Sequence, residues 1–428
     1  MGIIRNTEDY MPRLIDREVG RYLRSFGAVC IEGPKWCGKS WTAAFHAKSE
    51  ILISDPDNNF QNRVLAELSP SLVLDGAVPR LIDEWQEVPA LWDAVRFEVD
   101  KRGRKGQFIL TGSATPQRKG IMHSGAGRIG RLRMRPMSLY ESGDSSGLVS
   151  LKDICDGTAP AVLTEKAELK KLIRLTTRGG WPGNLNAAPE DALLLPGSYI
   201  DAILSDDIGR VDSIKRSNIK LRLLLRSLAR NESTTATIRL LKNDIREKDG
   251  EDIDPETVSA YLDIFDRLFL IDNQPPFSNR LRSGVRVKQT EKRHLSDPSL
   301  ACALLGATNE KLLGDLETFG FLFEALCERD LKIYAESLGA RLYHYQDYAG
   351  NEIDAVIEFP DGNWCAAEIK LGANKIDEAA ENLVRIRNLI AKGDDRPPAA
   401  LCVVCGMSDA AYKRADGVYV VPITALKP

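Results

Sequence analysis

The run Gly33-Pro34-Lys35-Trp36-Cys37-Gly38-Lys39-Ser40 concentrates more chemistry than any other stretch of the chain. Gly33 and Gly38 allow the backbone to wrap an anion so closely that successive N–H groups converge on it. Lys39 is placed to reach the β- and γ-phosphates of a nucleoside triphosphate, and the Ser40 hydroxyl to ligate Mg²⁺. A short apolar run, Ala28–Glu32, precedes the loop. A helical stretch from Lys39 through Ala47 follows it and turns its N-terminus, with Trp41, towards the same anion. A phosphate-bound Mg²⁺ also needs a carboxylate at the end of a neighbouring strand. Leu81-Ile82-Asp83-Glu84 supplies it, with Asp83 as the metal acid and Glu84 placed to orient or deprotonate a water. Thr111-Gly112-Ser113 ends the next strand. Its hydroxyls either reach the γ-phosphate and the attacking water or form a plain turn. In Gly127-Arg128-Ile129-Gly130-Arg131, Arg128 and Arg131 are candidates for an inserted arginine, a device that accelerates phosphoryl transfer by ~10³–10⁵. If one acts on a neighbouring subunit, turnover requires a homo-oligomer.

A second constellation lies near the C-terminus. Glu352–Ile357 and Ala366–Lys370 read as adjacent strands joined through Asp361-Gly362, a hairpin that brings Asp354 near Glu368. Side chains alternate along a strand, so Lys370 shares the face of Glu368. Glu324, on an expected helix Phe319–Arg329, is a further acid. Such a group could hold a second Mg²⁺ or a Mn²⁺, with the lysine orienting water or stabilising phosphorane charge. Cys402 and Cys405 stand three apart on an apolar run and point to opposite faces, so they read as structural. The four histidines do not pair at ligand spacing.

These sites require strands that alternate with helices. Ala28–Glu32, Ile51–Ser54, Arg80–Glu84 and Gln107–Gly112 predict a parallel sheet covered on both faces, with ligands at the carboxyl ends of the strands. Residues 151–210 turn helical, broken at Gly179-Gly180-Trp181-Pro182-Gly183. Three amphipathic stretches follow to Pro276, the last being Pro255–Phe269. A basic stretch (Arg280, Arg282, Arg286, Lys288, Lys292, Arg293) reads as a solvated linker or hairpin, with a phosphate-contacting loop as the alternative. Beyond it the chain is α/β again, with strands near Leu342–Tyr345, Glu352–Glu358, Trp364–Lys370 and Leu401–Cys405.

At 428 residues, several domains are expected. A hydrophobic fraction of 43% and a charged fraction of 28% suit ordinary globular cores. A net charge of −3 argues against bulk coating of nucleic acid, though not against a local basic face. The scattered cysteines, the absence of a leader-like pattern and of any apolar run near ~18 residues lead us to expect a cytoplasmic protein with reduced thiols.

The phosphate loop, Ile82-Asp83-Glu84, Leu110-Thr111-Gly112-Ser113 and Gly127-Arg128 together resemble the AAA+-type ATPase domain of a widespread prokaryotic family. The resemblance implies an α/β fold with four parts. These are a P-loop ATPase core (1–145), a helical lid (146–212), a winged-helix-like segment (213–280) and a C-terminal domain of restriction-endonuclease-like, PD-(D/E)xK type (281–428). Asp354…Glu368-x-Lys370 resembles the signature of that nuclease class. The helix after Lys370 lacks the glutamine and tyrosine that many DNA-end nucleases of the class carry there. ATP and ADP are the implied ligands, adenine being preferred on the resemblance alone. The leading expectation is a Mg²⁺-dependent ATPase whose nucleotide state controls DNA-interacting, nuclease-like C-terminal domains. The alternatives are a nucleotide-gated switch or assembly module with an inactive nuclease fold and protein partners, and an ATP-licensed endonuclease.

Overall fold

Apolar runs need cover on both faces, and the first four strands have it. The computed structural model describes residues 7–115, 122–211, 216–278, 289–393 and 396–428. Arg280, Arg282, Arg286 and Lys288 of the basic stretch lie outside the described residues. The chain divides into two units. One comprises Met1–Pro136, Ser205–Arg216 and Asp263–Leu270, and the other Met137–Leu204, Ser217–Leu262 and Ile271–Pro428.

In the first unit β1 (Ala28–Glu32), β2 (Ser49–Leu52), β3 (Arg80–Asp83), β4 (Phe108–Gly112) and β5 (Ile129–Arg133) form a parallel sheet in the order β2-β3-β4-β1-β5. The helix α1 (Lys39–His46) follows the phosphate loop, and α2 (Ala90–Arg102) packs Leu91, Trp92 and Val95 into a core with Ile82, Phe108 and Leu110. Because β4 lies between β1 and β3, the ends of all three are neighbours: Glu32 pairs with Gly112, and Ile82 with Leu110. β5 was not foreseen, since arginines interrupt it. Its Arg131 and Arg133 guanidiniums cover the rings of Trp92 and Phe269 at 4.5 and 5.2 Å, so the charges lie over aromatic faces and stay partly in water.

In the second unit β6 (Val149–Ser150) pairs in parallel with β14 (Leu426–Lys427). A mixed sheet runs β7-β12-β13-β11-β10-β9-β8. Its members are β7 (Val162–Leu163), β8 (Arg341–Gln346), β9 (Glu352–Glu358), β10 (Trp364–Lys370), β11 (Ala400–Cys405), β12 (Ala410–Lys413) and β13 (Tyr419–Pro422). β8, β9 and β10 are antiparallel neighbours, whereas β10, β11 and β13 run parallel. The helices of this unit include α3 (Leu169–Arg178), α4 (Pro298–Leu305), α5 (Leu316–Ser337) and α6 (Ile376–Lys392). α6 bridges β10 and β11 and buries Ala380, Leu383 and Ile386 against Val356, Ala366 and Val403. The three amphipathic stretches after residue 217 are the helices Asn218–Arg230, Ile238–Asp249 and Pro255–Arg267. Cys402 and Cys405 are buried free thiols on β11.

The Gly-Gly-Trp-Pro break after α3 is a packing hub. Gly179 has φ 70°, and a Cβ there would lie 2.3 Å from Asp297 Oδ1. Gly180 N–H donates to Asp297 Oδ2 at 3.0 Å, and the fully buried Trp181 donates Nε1–H to Ser299 Oγ at 2.9 Å. Arg329 of α5 completes the charge pairing of Asp297 at 2.8 Å. A Cβ on Gly180 would stand 2.1 Å from the Met137 carbonyl oxygen, whereas one on Gly183 meets nothing nearer than 3.7 Å. Gly180→Ala should therefore destabilise the chain by about 1–3 kcal/mol or more in urea unfolding, while Gly183→Ala leaves the midpoint nearly unchanged.

Candidate functional site

The phosphate loop is held open by its neighbours. A Cβ on Gly33 would lie 2.1 Å from the Met134 carbonyl oxygen, and Gly38 adopts φ 103° as the residue before α1. Arg13, which the sequence did not single out, donates to the carbonyls of Cys37 at 2.8 Å and Arg135 at 2.9 Å. The buried Cys37 thiol faces Met134 O at 3.8 Å. Lys39 is buried, with Nζ donating to Pro34 O at 2.7 Å, so its ammonium sits over the loop. Lys35 Nζ pairs at 2.6 Å with the buried carboxylate of Asp207, which lies in the same unit. Trp36, at φ 64°, and Trp41 are 50% and 41% exposed, and neither fills the loop's interior.

Asp83 and Glu84, adjacent at the end of β3, take different partners. Asp83 Oδ1 accepts from Ser40 Oγ at 2.7 Å and from Thr111 Oγ1 at 2.6 Å. Thr111 Oγ1 in turn accepts from Glu84 N at 3.0 Å. Glu84 takes a left-handed backbone conformation, φ 58°, a strain of the kind concentrated at functional sites. Its Oε2 accepts from Ser113 Oγ at 2.9 Å and from the Gln86 amide, which also reaches Ser113 Oγ at 3.2 Å. Gln86 was missed because nothing in a three-residue turn marks its amide as facing backwards. The two arginine candidates are held in ion pairs, Arg131 with the residue that precedes Gly33. Arg128 pairs with Asp100 at 2.9 Å, and Arg131 with Glu32 at 2.9 Å.

In the second unit Asp354, Glu368 and Lys370 come together. Lys370 Nζ is 2.8 Å from Glu368 Oε2 and 3.5 Å from Asp354 Oδ2, and the Ile369 N–H donates to Asp354 Oδ2 at 2.8 Å. Asn382 of α6 donates to Glu368 Oε1 at 3.0 Å. Glu324 joins them with an unforeseen companion, Lys292. This ammonium lies 2.5 Å from Glu324, 2.7 Å from Glu328 and 3.9 Å from Asp354. Lys292 is thus buried, not part of a solvated linker. His294 stands 3.0 Å from both Glu232 and Glu328. Burial raises Glu232, and burial with the Asp354 charge pushes Glu324 and Glu368 each up to about 8. Burial alone would lower His294, but Glu328 and Glu232 outweigh it and lift the imidazole to about 9.

Residues 25–143 are similar to the family model described as an AAA domain. The first unit carries an ATPase-like P-loop domain. Residues 169–311 and 319–426 match two models, each described as a domain of unknown function (DUF8612 and DUF4143). The chain is 24% identical over 344 residues to uncharacterized proteins of Mycobacterium tuberculosis and Mycobacterium bovis, covering 79% of this chain and 69% of either relative. Similar solved structures include the Walker-type ATPase PABY2304 of Pyrococcus abyssi, at 14% identity and TM-score 0.43, covering 70% of this chain and 97% of that one. The ORC2 protein of Aeropyrum pernix has 13% identity and TM-score 0.30 over 72% and 98%. No helix among the described residues is long and apolar enough to cross a membrane.

The charged cluster makes a pH prediction. Glu324, Glu368 and His294 all hold protons more tightly folded than unfolded. Their contribution is complete below their unfolded values and is lost as pH rises towards 8–9. The melting temperature should fall between pH 5 and pH 9, and the fall should be shallower in Glu368→Gln.

Proposed function

We propose that the first unit binds ATP with Mg²⁺ and hydrolyses it, and that the nucleotide state governs the second unit. One observation carries this reading. Ser40 and Thr111 both aim their hydroxyls at Asp83, while Glu84, the next residue, is steered separately by Ser113 and Gln86. The two acids therefore have different tasks, a metal-facing one and a water-facing one. The residues present fit Mg²⁺·ATP: an anion cradle with a buried lysine over it, and a hydroxyl and a carboxylate already in register beside it. Bound there, Mg²⁺ would neutralise charge on the β- and γ-phosphates. Ser40 and Asp83 would hold the ion, Lys39 would exchange Pro34 O for phosphate oxygens, and Glu84 would accept the proton of an attacking water.

Control of the rest of the chain is supported by two contacts inside the first unit. Lys35 of the loop pairs with Asp207, and Thr115, two residues past Ser113, donates its N–H to Arg267 O at 2.9 Å and accepts from the Arg267 side-chain Nε at 3.2 Å. Phosphate would compete with Asp207 for Lys35. Both contacted segments continue into chain belonging to the second unit, whose partner in this reading is DNA.

The test is steady-state phosphate release with ATP and Mg²⁺, with and without duplex DNA. Lys39→Ala should abolish ATP binding. Glu84→Gln should retain binding and slow hydrolysis by ~10²-fold or more. DNA should accelerate the parent. Tight ATP binding with negligible turnover, indifferent to DNA, would replace this reading with that of a nucleotide-gated switch.

A further inference from the structure

The cluster in the second unit has the acids of a two-carboxylate metal site, and the question is whether a divalent ion fits. Asp354 Oδ2 already accepts the Ile369 N–H and faces Lys370, while the two oxygens of Glu368 face Asn382 and Lys370. The cation that would bridge Asp354 to the helix acids is present within the chain. It is the Lys292 ammonium, in contact with Glu324 and Glu328 and facing Asp354 Oδ1. Among the described residues, no three His, Cys, Asp or Glu side chains stand so as to hold a metal ion by themselves.

Lys292 is in place by construction. Its backbone exchanges two hydrogen bonds with Gln274, each of 2.9 Å. The Gln274 amide, buried in turn, donates to Tyr343 O of β8 at 2.7 Å and to Asp354 O of β9 at 3.0 Å. The residue that sets the backbone of Lys292 is therefore tied to the backbone of the acid its side chain faces. Glu324 and Glu328, four apart on α5, present their carboxylates from one helix face. Five acids (Glu232, Glu324, Glu328, Asp354, Glu368) meet three bases (Lys292, Lys370, His294). Buried charge persists only when paired, and the proton affinities of Glu324 and Glu368 supply the remainder of the neutralisation.

We propose that Lys292 is an intramolecular cation occupying the metal position of this site, and that it closes the cluster to divalent ions. The inference is independent of ATP hydrolysis in the first unit. It separates the second unit from metal-dependent phosphodiester chemistry and assigns the cluster to holding α5, β9, β10 and the stretch around residue 292 together.

The experiment is Mn²⁺ binding to the full chain without nucleotide, read from the free-ion electron paramagnetic resonance signal. All proteins carry Asp83→Asn, which removes the acid beside the phosphate loop. The parent should leave Mn²⁺ free, and adding Asp354→Asn should change nothing. Adding Lys292→Met should create a bound Mn²⁺, and Asp354→Asn in that chain should release it. Binding by the parent that Asp354→Asn abolishes would overturn the proposal, as would a folded Lys292→Met chain that takes up no Mn²⁺. Should Lys292→Met fail to fold, the comparison of parent with Asp354→Asn still decides: equal, absent binding supports the closed site, and a difference overturns it.

Discussion

The Asp83 carboxylate is where the first unit's geometry is spent. Its Oδ1 accepts hydroxyls from Ser40 and Thr111 at 2.7 and 2.6 Å, so three strands must end within reach of one oxygen. A parallel sheet permits this only if the loop strand, the acid strand and the hydroxyl strand are consecutive. The order β3-β4-β1 makes them so. The close approach of Gly33 to Met134 O and the Arg13 bonds to Cys37 O and Arg135 O serve the same end, since a loop free to drift would carry Ser40 away. Lys39 donates to Pro34 O, which keeps its buried ammonium satisfied.

The second unit solves a different problem, that of many charges in a dry place. Asp297 collects the Gly180 N–H, the Ser299 N–H and hydroxyl, and the Arg329 guanidinium. The Lys292 ammonium gathers two acids of α5 and one of β9. Both are all-or-none arrangements, because removing one partner of a buried pair costs ~3–5 kcal/mol. Both unite segments far apart in sequence, and the Asp297 hub, through Gly180 and Trp181, joins residues 137–204 to 271–428 within one unit.

What could be read beforehand follows from how local each feature is. The phosphate loop, the Asp83–Glu84 pair and the Asp354/Glu368/Lys370 hairpin are contiguous or one turn apart, so periodicity and spacing expose them. The place of β4 between β1 and β3 is not encoded in any window, and with it went the Thr111 contact. β5 was hidden because Arg131 and Arg133 break the apolar pattern that aromatic faces then compensate. Lys292 looked like one member of a basic run; only pairing with Gln274, eighteen residues earlier, turns it inwards. Gly179-Gly180-Trp181 read as a helix break, and its role became visible only with Met137 and Asp297 pressed against it.

The central claim is that Asp83 and Ser40 form the metal-facing side of a nucleotide site. The most direct measurement is the affinity for ATP with and without Mg²⁺, by calorimetry, in the parent and in Asp83→Asn. The account predicts that Mg²⁺ tightens ATP binding in the parent, and that Asp83→Asn loses this gain while keeping the metal-free affinity set by the loop and Lys39. An equal Mg²⁺ gain in both proteins would contradict it.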